Sequence, residues 1–395
     1  MHLLETYALS TGSKIGKPFI LKKFFPVKFD KYITLQNSSG MPAKCYDYFQ
    51  EVVNFLLPIL NNHGIGIVQI GGKEDHPIQG CENLQGATNI HQTAYILNNS
   101  ILHLGNDSFA IHMANSFNVK TVGLYSITLP EIAGPYYNKE NSICIYPDEE
   151  KPSFNPNESP KRINKIKPEQ VVDSCLKLIF DKNEKCNVTT LHIGQRYKET
   201  IIESIPDNII HPEFFKNSIL NIRCDYIDNI DINILYNNIL LRKCCIVTDK
   251  PFDLSFAPQV KQNINIVIYD ITKSIDINFI KLLDSLGIRY ACAYNKQSGT
   301  ESDMHDKKTQ LIDFCAIEEY SLIPENFNKD MLSEKGLKYT SNRVILSNGK
   351  VYSSSAALVE GINVENGDTP NFDIYKIKNK NKFLEDLDYC FIYKD

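Results

Sequence analysis

Between residues 101 and 125 the sequence ILHLGNDSFAIHMANSFNVKTVGLY sets a glycine, an aspartate, a serine and a histidine at spacings suited to gripping an anion. Gly105-Asn106-Asp107-Ser108 is a short polar run, and an apolar-periodic stretch follows it from about 109 to 117. Asp107 or Ser108 would cap a helix there, whose first turn leaves backbone N–H groups without intrahelical partners. Those groups and the positive end of the helix dipole form an anion site, and the geometry suggests a diphosphate. His112 falls one turn into the helix, on the face that looks back toward the loop.

Apolar runs at 101–104 and 121–125 flank this helix, so the stretch is one βαβ unit with its loop at the carboxyl end of a parallel strand, where open α/β sheets bind ligands. Upstream, strands are expected at 32–35 and 66–70. A helix over 46–60 presents Phe49, Val52, Val53, Leu56 and Leu57 on one face, and another covers 89–97. This alternation predicts a parallel sheet with helices on both faces, which gathers the polar loops 36–44, 71–76 and 105–112 on one edge. The 126–135 loop belongs to the same edge. Residues 147–168, rich in Pro, Asn and charge, are surface chain; a helix starting at Pro168 runs to about 180, and 181–187 is a polar linker.

A second α/β pattern follows, with strands at 189–193, 220–223, 245–248, 264–269 and 289–293 and helices at 197–204, 232–241 and 278–286. From 337 the pattern changes to strands 338–346 and 350–356 around Asn348-Gly349, a strong hairpin turn, with a basic stretch at 376–382. The chain of 395 residues exceeds what one core serves. The expected organisation is α/β throughout: a first Rossmann-like domain over 1–185, a second over 186–330, and a small α+β extension over 331–395.

Composition narrows the class. A 43% hydrophobic and 23% charged content is that of a globular protein, and the net charge of −5 gives no general attraction to nucleic acid or anionic membrane, though a local basic groove stays open. No stretch has transmembrane length and the first residues lack a signal peptide's apolar core. The 11 cysteines have no C-x-x-C spacing, so reduced thiols and a cytoplasmic location are expected.

Residues 31–180 resemble the nucleotide-sugar-binding half of GT-B glycosyltransferases, specifically the ADP-heptose:lipopolysaccharide heptosyltransferase group of glycosyltransferase family 9. The matching parts are Tyr32-Ile33-Thr34-Leu35 with Ser38, Ser39 and Pro42-Ala43-Lys44; Ile70-Gly71-Gly72 with Glu74; Leu84-Gln85-Gly86-Ala87-Thr88; Gly105-Asn106-Asp107-Ser108-x-x-x-His112-Met113-Ala114; and Val122-Gly123-Leu124-Tyr125 with Pro135. The family has glycine where this chain has Phe109, which narrows the loop. In the family the nucleotide-binding half follows the acceptor half; here it comes first. The resemblance therefore implies a circularly permuted GT-B pair of Rossmann-like domains facing across a cleft.

It further implies transfer of a sugar from a nucleotide-diphosphate donor to a hydroxyl, with inversion. The diphosphate would meet the N–H groups of Ser108 and Phe109 with His112, Lys44 and Ser38 or Ser39. Gly105 and Asp107 would shape the loop, and Glu74 would hold a ribose hydroxyl. Helix dipole and lysine would replace a metal, so neither metal nor cofactor is expected. The base would lie in the first loop of the acceptor half, making Glu199 the first candidate and Asp225 the second, with Arg196 on a phosphate or the acceptor. Glu301, Asp303 and His305 could also face the cleft. Plainer structural readings exist for each: a simple cap at Asp107 and Ser108, a core histidine at 112, solvated side chains at Lys44, Glu74 and the carboxylates. The acceptor would be a surface glycan or a hydroxylated base in nucleic acid. The competing functions are a nucleotide-sugar epimerase on the same frame, and a nucleotide-sugar-binding protein without activity.

Overall fold

A computed structural model describes the chain except for residues 148–151, 181–183, 212, 214–218, 325–326 and 365–370. The 181–183 part of the expected linker thus lies outside the described residues. The chain forms two compact units, Met1–Thr190 and Leu191–Asp395.

In the first unit, β1 (Tyr32–Gln36), β2 (Gly66–Gln69), β3 (Glu82–Asn83), β4 (Leu102–Asn106), β5 (Lys120–Leu124) and β6 (Ser142–Ile145) form one parallel sheet in the order β3-β2-β1-β4-β5-β6. Every residue of β1 and β4 is buried, as strands covered on both faces must be. Helix Phe49–Asn62 packs with helix Pro168–Phe180, and helix Ile90–Asn99 packs with helix Phe109–Ser116. The buried side chains of the first helix, Phe49, Val52, Val53, Leu56 and Leu60, recur at the spacing of a single helical stripe. The sheet order reverses between β1 and β4, so the loops leaving these two strands diverge and open a crevice. The expected elements of this half all form, with boundaries shifted by one to three residues. Ahead of β1 come helix Leu3–Thr11 and an irregular strap, which is bonded to helix Ile90–Asn99 through Leu21, Lys22 and Lys23.

The second unit differs more from expectation. The chain enters it through β7 (Thr189–Ile193) and continues with β8 (Ile201–Ser204), β9 (Leu220–Arg223), β10 (Cys244–Thr248), β11 (Ile264–Asp270), β12 (Tyr290–Asn295), β13 (Ile317–Tyr320), β14 (Leu337–Ser341), β15 (Arg343–Ser347), β16 (Lys350–Tyr352), β17 (Asn371–Asp373) and β18 (Cys390–Lys394). An eight-stranded sheet runs β13-β12-β11-β10-β9-β8-β15-β16, parallel from β13 to β15, and a four-stranded sheet runs β17-β14-β18-β7.

Four expectations fail here, one of them the strand over 350–356, which stops at Tyr352 ahead of helix Ser355–Glu360. Residues 197–204 are not helical: the last four are β8, where β-branched Ile201 and Ile202 favour extended backbone and the strand is held in parallel register between β9 and β15. Strand 189–193 does not open the parallel sheet but joins the four-stranded one. The expected strand 338–346 breaks at Asn342 into β14 and β15, which lie in different sheets; the Asn342 amide donates to the Tyr197 carbonyl at the break. The hairpin at Asn348-Gly349 does form, both residues having positive φ (47° and 71°), the backbone its tight turn demands. Residues 331–395 complete the second unit's sheets and share a core with Leu191.

Candidate functional site

The crevice of the first unit is built from the ends of β1 and β4. After β1 the chain turns through Asn37–Gly40 and the 3-10 turn Pro42–Lys44; after β4 it passes through Asp107 and Ser108 into helix Phe109–Ser116. Asp107 is the hub. Its Oδ2 accepts from Lys44 Nζ at 2.5 Å and from Thr128 Oγ1 at 2.8 Å, while its Oδ1 lies 3.9 Å from His112 Nε2. The Ser39 hydroxyl donates to the Asp107 carbonyl at 3.4 Å. Burial pushes the Asp107 carboxyl up, but His112, Lys44 and Thr128 outweigh it and hold it below the usual carboxylate range.

The helix that starts here differs from its neighbours. Asn89, Asp231 and Asp276 cap their helices through side-chain oxygens. Ser108, at the N-cap of Phe109–Ser116, makes no side-chain capping bond, and Asp107 is turned to Lys44 and Thr128 instead. The expected cap is therefore absent at this end, and the first-turn N–H groups are not taken by a capping oxygen. Two buried polar atoms at the carboxyl ends of the same strands, Asn106 Nδ2 and Gln36 Oε1, also have no hydrogen-bond partner among the described residues. Buried polar groups are seldom left so unless a ligand or water completes them.

Of the residues expected to bind the donor, Ser39, Lys44, Gly105, Asp107, Ser108 and His112 meet at this crevice. Ser38 turns away to Asp75, whose Oδ2 accepts from the Ser38 hydroxyl and from the Gly72 N–H, both at 2.6 Å. Glu74 is exposed in that turn, so the carboxylate that ties the 71–76 loop to the 36–44 loop is its neighbour Asp75. Phe109 is nearly half exposed and, with His112, lines a cavity of about 570 Å³ on the flank of the helix.

In the second unit, alternate residues of β8–β12 (Glu203, Asn221, Arg223, Val247, Asp270 and Ala293 among them) floor a cleft of about 420 Å³ walled by Arg196, Asp225, Tyr226, Tyr320 and Tyr389. The opposite parity is packed against helices Ile232–Leu241 and Ile277–Ser285. At the junction of β8 and β15, where this sheet reverses its order, lies a buried charge network. Arg343 donates to Glu203 Oε2 at 2.7 Å, to Asp386 and to the Tyr226 hydroxyl at 2.9 Å. Asp386 also accepts from the Ser355 N–H and hydroxyl. Arg223 bridges Glu203 at 2.7 Å and grips Asp225 through two nitrogens at 2.8 and 2.6 Å. Burial pushes the Glu203 carboxyl up, and the two arginines overcome it and bring it below its ordinary value.

The two candidate bases fare differently. Asp225 stands in the cleft wall with both carboxylate oxygens held by Arg223. Glu199 is exposed, and its Oε2 accepts from Arg196 at 2.9 Å. Its loop joins β7 to β8 and is not the strand-to-helix turn that made it the first candidate. Arg196 lies in this cleft, stacked 5.2 Å from the Tyr389 ring. Asp303 pairs with Lys307 and Tyr294 along helix Glu301–Gln310. Thr128, Glu203, Arg223, Arg343 and Asp386 carried no sequence signal: they sit in strands and loops with no motif of their own. Among the described residues no group of three or more His, Cys, Asp or Glu side chains is placed to hold a metal ion.

Residues 13–163 match the family model described as glycosyltransferase family 9 (heptosyltransferase), which bears out the resemblance seen in the sequence. The solved structures similar to the chain include an ADP-heptose lps heptosyltransferase II from E. coli, 18% identical over 46% of this chain and 52% of that one, TM-score 0.32. A glycosyl transferase family 9 protein from Veillonella parvula is 21% identical over 39% and 47%, TM-score 0.33. MurG of Acinetobacter baumannii is 9% identical over 74% and 86%, TM-score 0.21. The chain spans about half the length of the first two. No curated protein matches it.

Proposed function

We propose that this protein is a glycosyltransferase that takes a sugar from a nucleoside-diphosphate donor and passes it to a hydroxyl acceptor with inversion. The observation that carries the reading is the uncapped amino end of helix Phe109–Ser116 at the reversal point of the first sheet, with Lys44 and His112 beside it. As the donor bond breaks, negative charge grows on the leaving diphosphate. Fixed N–H dipoles and a lysine already in place stabilise that charge with little reorganisation. Asp107 positions Lys44 and His112 and takes no part in bond making. This assignment needs no metal, since the helix end and Lys44 supply the countercharge. The match of residues 13–163 to the family 9 model supports the same chemistry.

On this reading the acceptor binds in the cleft of the second unit, whose Tyr, Asn and Arg lining suits a polyhydroxylated ligand, and Asp225 or Glu199 takes the acceptor proton. The acceptor is a surface glycan or a hydroxylated nucleic-acid base, and the halves of the GT-B frame stand in permuted order.

Titration with ADP, GDP and UDP, with and without EDTA, tests the donor site. One nucleoside diphosphate should bind equally well in both conditions; if none binds at millimolar concentration, the reading fails. Slow hydrolysis of the matching nucleotide sugar, lost in Asp225→Asn or Glu199→Gln but with diphosphate binding intact, then identifies the base.

A further inference from the structure

The first 31 residues carry six lysines, at 14, 17, 22, 23, 28 and 31, against Glu5 and Asp30. That local surplus of four positive charges belongs to a chain whose total is −5, and no acid occurs from residue 6 to residue 29. Large apolar side chains stand out among the lysines: Phe19 is 91% exposed, Phe24 68% and Leu21 57%. Helix Leu3–Thr11 continues the pattern with no buried residue, and Leu9 is 71% exposed.

These side chains are displayed by a backbone that is held. The Lys23 N–H donates to the His91 carbonyl at 3.0 Å, His91 Nδ1 meets the Leu21 carbonyl at 3.1 Å, and Lys22 Nζ reaches Asn98 Oδ1 at 3.0 Å. His2 anchors the other end, its Nε2 lying 3.0 Å from the Gly134 carbonyl. The strap is thus pinned to the first unit while its apolar tips point outward.

We infer that residues 1–24 form a docking surface for an anionic lipid bilayer. Phe19, Leu21 and Phe24 would enter the headgroup boundary, and Lys14, Lys17 and Lys23 would lie over the lipid phosphates. Charge complementarity selects this occupant. A second copy would bring two surfaces of the same positive sign together, which like-charge repulsion opposes. An electrically neutral apolar partner would leave the exposed Lys14, Lys17 and Lys23 unused. The cavity of about 570 Å³ shares Leu3, Leu4, Pro18 and Ile20 with this surface and Phe109 and His112 with the crevice helix, so the bilayer would lie on the flank of the candidate donor site. The inference does not depend on what that site binds.

Sedimentation of the full chain with vesicles of phosphatidylcholine, with or without phosphatidylglycerol, tests it. The protein should sediment only with the anionic vesicles and come off at high salt. Lys14→Gln and Lys17→Gln should each weaken partitioning about five-fold. Phe19→Ser should weaken it about ten-fold or more, since a phenyl ring leaves the apolar boundary. All three variants should keep the wild-type Tm, because none of these side chains is buried. Failure to sediment with anionic vesicles, equal sedimentation with neutral ones, or variants that bind like wild type would overturn the inference. So would a dimer in light scattering that Phe19→Ser dissolves, which would make the surface a contact between copies.

Discussion

Asp107 is the side chain around which the crevice of the first unit is assembled. It is buried, it orients a lysine and a threonine from two other loops, and it leaves the helix end behind it uncapped. Lys44→Ala should therefore cost a charge-assisted contact to the diphosphate, about 1.5–3 kcal/mol, or ten-fold to a hundred-fold in Kd by calorimetric titration. Asp107→Asn should also weaken binding while leaving the fold intact. A second buried residue makes the first unit sensitive to acid. His103 lies fully buried in β4, bonded through Nδ1 to Thr34, and burial pushes its pKa down to about 3. The unfolded chain protonates this histidine first, so its contribution is full above pH 6.5 and falls as pH drops toward 3. The loss amounts to about 1.4 kcal/mol per pH unit in that window. His103→Gln should flatten the stability profile between pH 6.5 and 4.5 in denaturant titrations. The polar residues of the crevice were legible in sequence because they fall in consecutive loops after strands. Thr128 and Asp75 were not, since either could equally have been a solvated turn residue.

At the scale of elements, β1, β2, β4 and β5 were readable because each is a short apolar run, whereas β3, the polar pair Glu82-Asn83, and β6 carried no such signal. The second unit was only partly readable. β8 pairs with β15, 140 residues away along the chain from Glu203 to Arg343, and nothing local announces a partner at such distance. The mistaken helix over 197–204 came from the same cause: a four-residue strand owes its form to neighbours on both sides. The price of that pairing is a buried arginine between two buried carboxylates. Arg343→Met would leave Glu203 and Asp386 short of countercharge, costing about 3–5 kcal/mol. For a unit of this size that lowers Tm by about 6–20 °C in thermal unfolding. Adding Glu203→Gln and Asp386→Asn should recover part of the loss; no recovery would mean the network acts by packing alone.

At the scale of the molecule, the chain is two α/β units with separate cores, one sheet and a polar crevice in the first, two sheets and a polar cleft in the second. Calorimetry should resolve two transitions, and a nucleoside diphosphate should raise only the one belonging to Met1–Thr190. The rise should be about 2.7 kcal/mol at a hundred times Kd. Equal shifts of both transitions would show that the ligand is shared. The pairing of β8 with β15 also bears on how the protein is made. At roughly 5–20 residues per second, a ribosome needs about 7–30 seconds to travel from β8 to its partner. Through that interval β8 waits with an open edge and Glu203 without Arg343, while the first unit is already complete. Synthesis rate, and any chaperone that shelters a nascent strand, should therefore govern the yield of the second unit far more than that of the first.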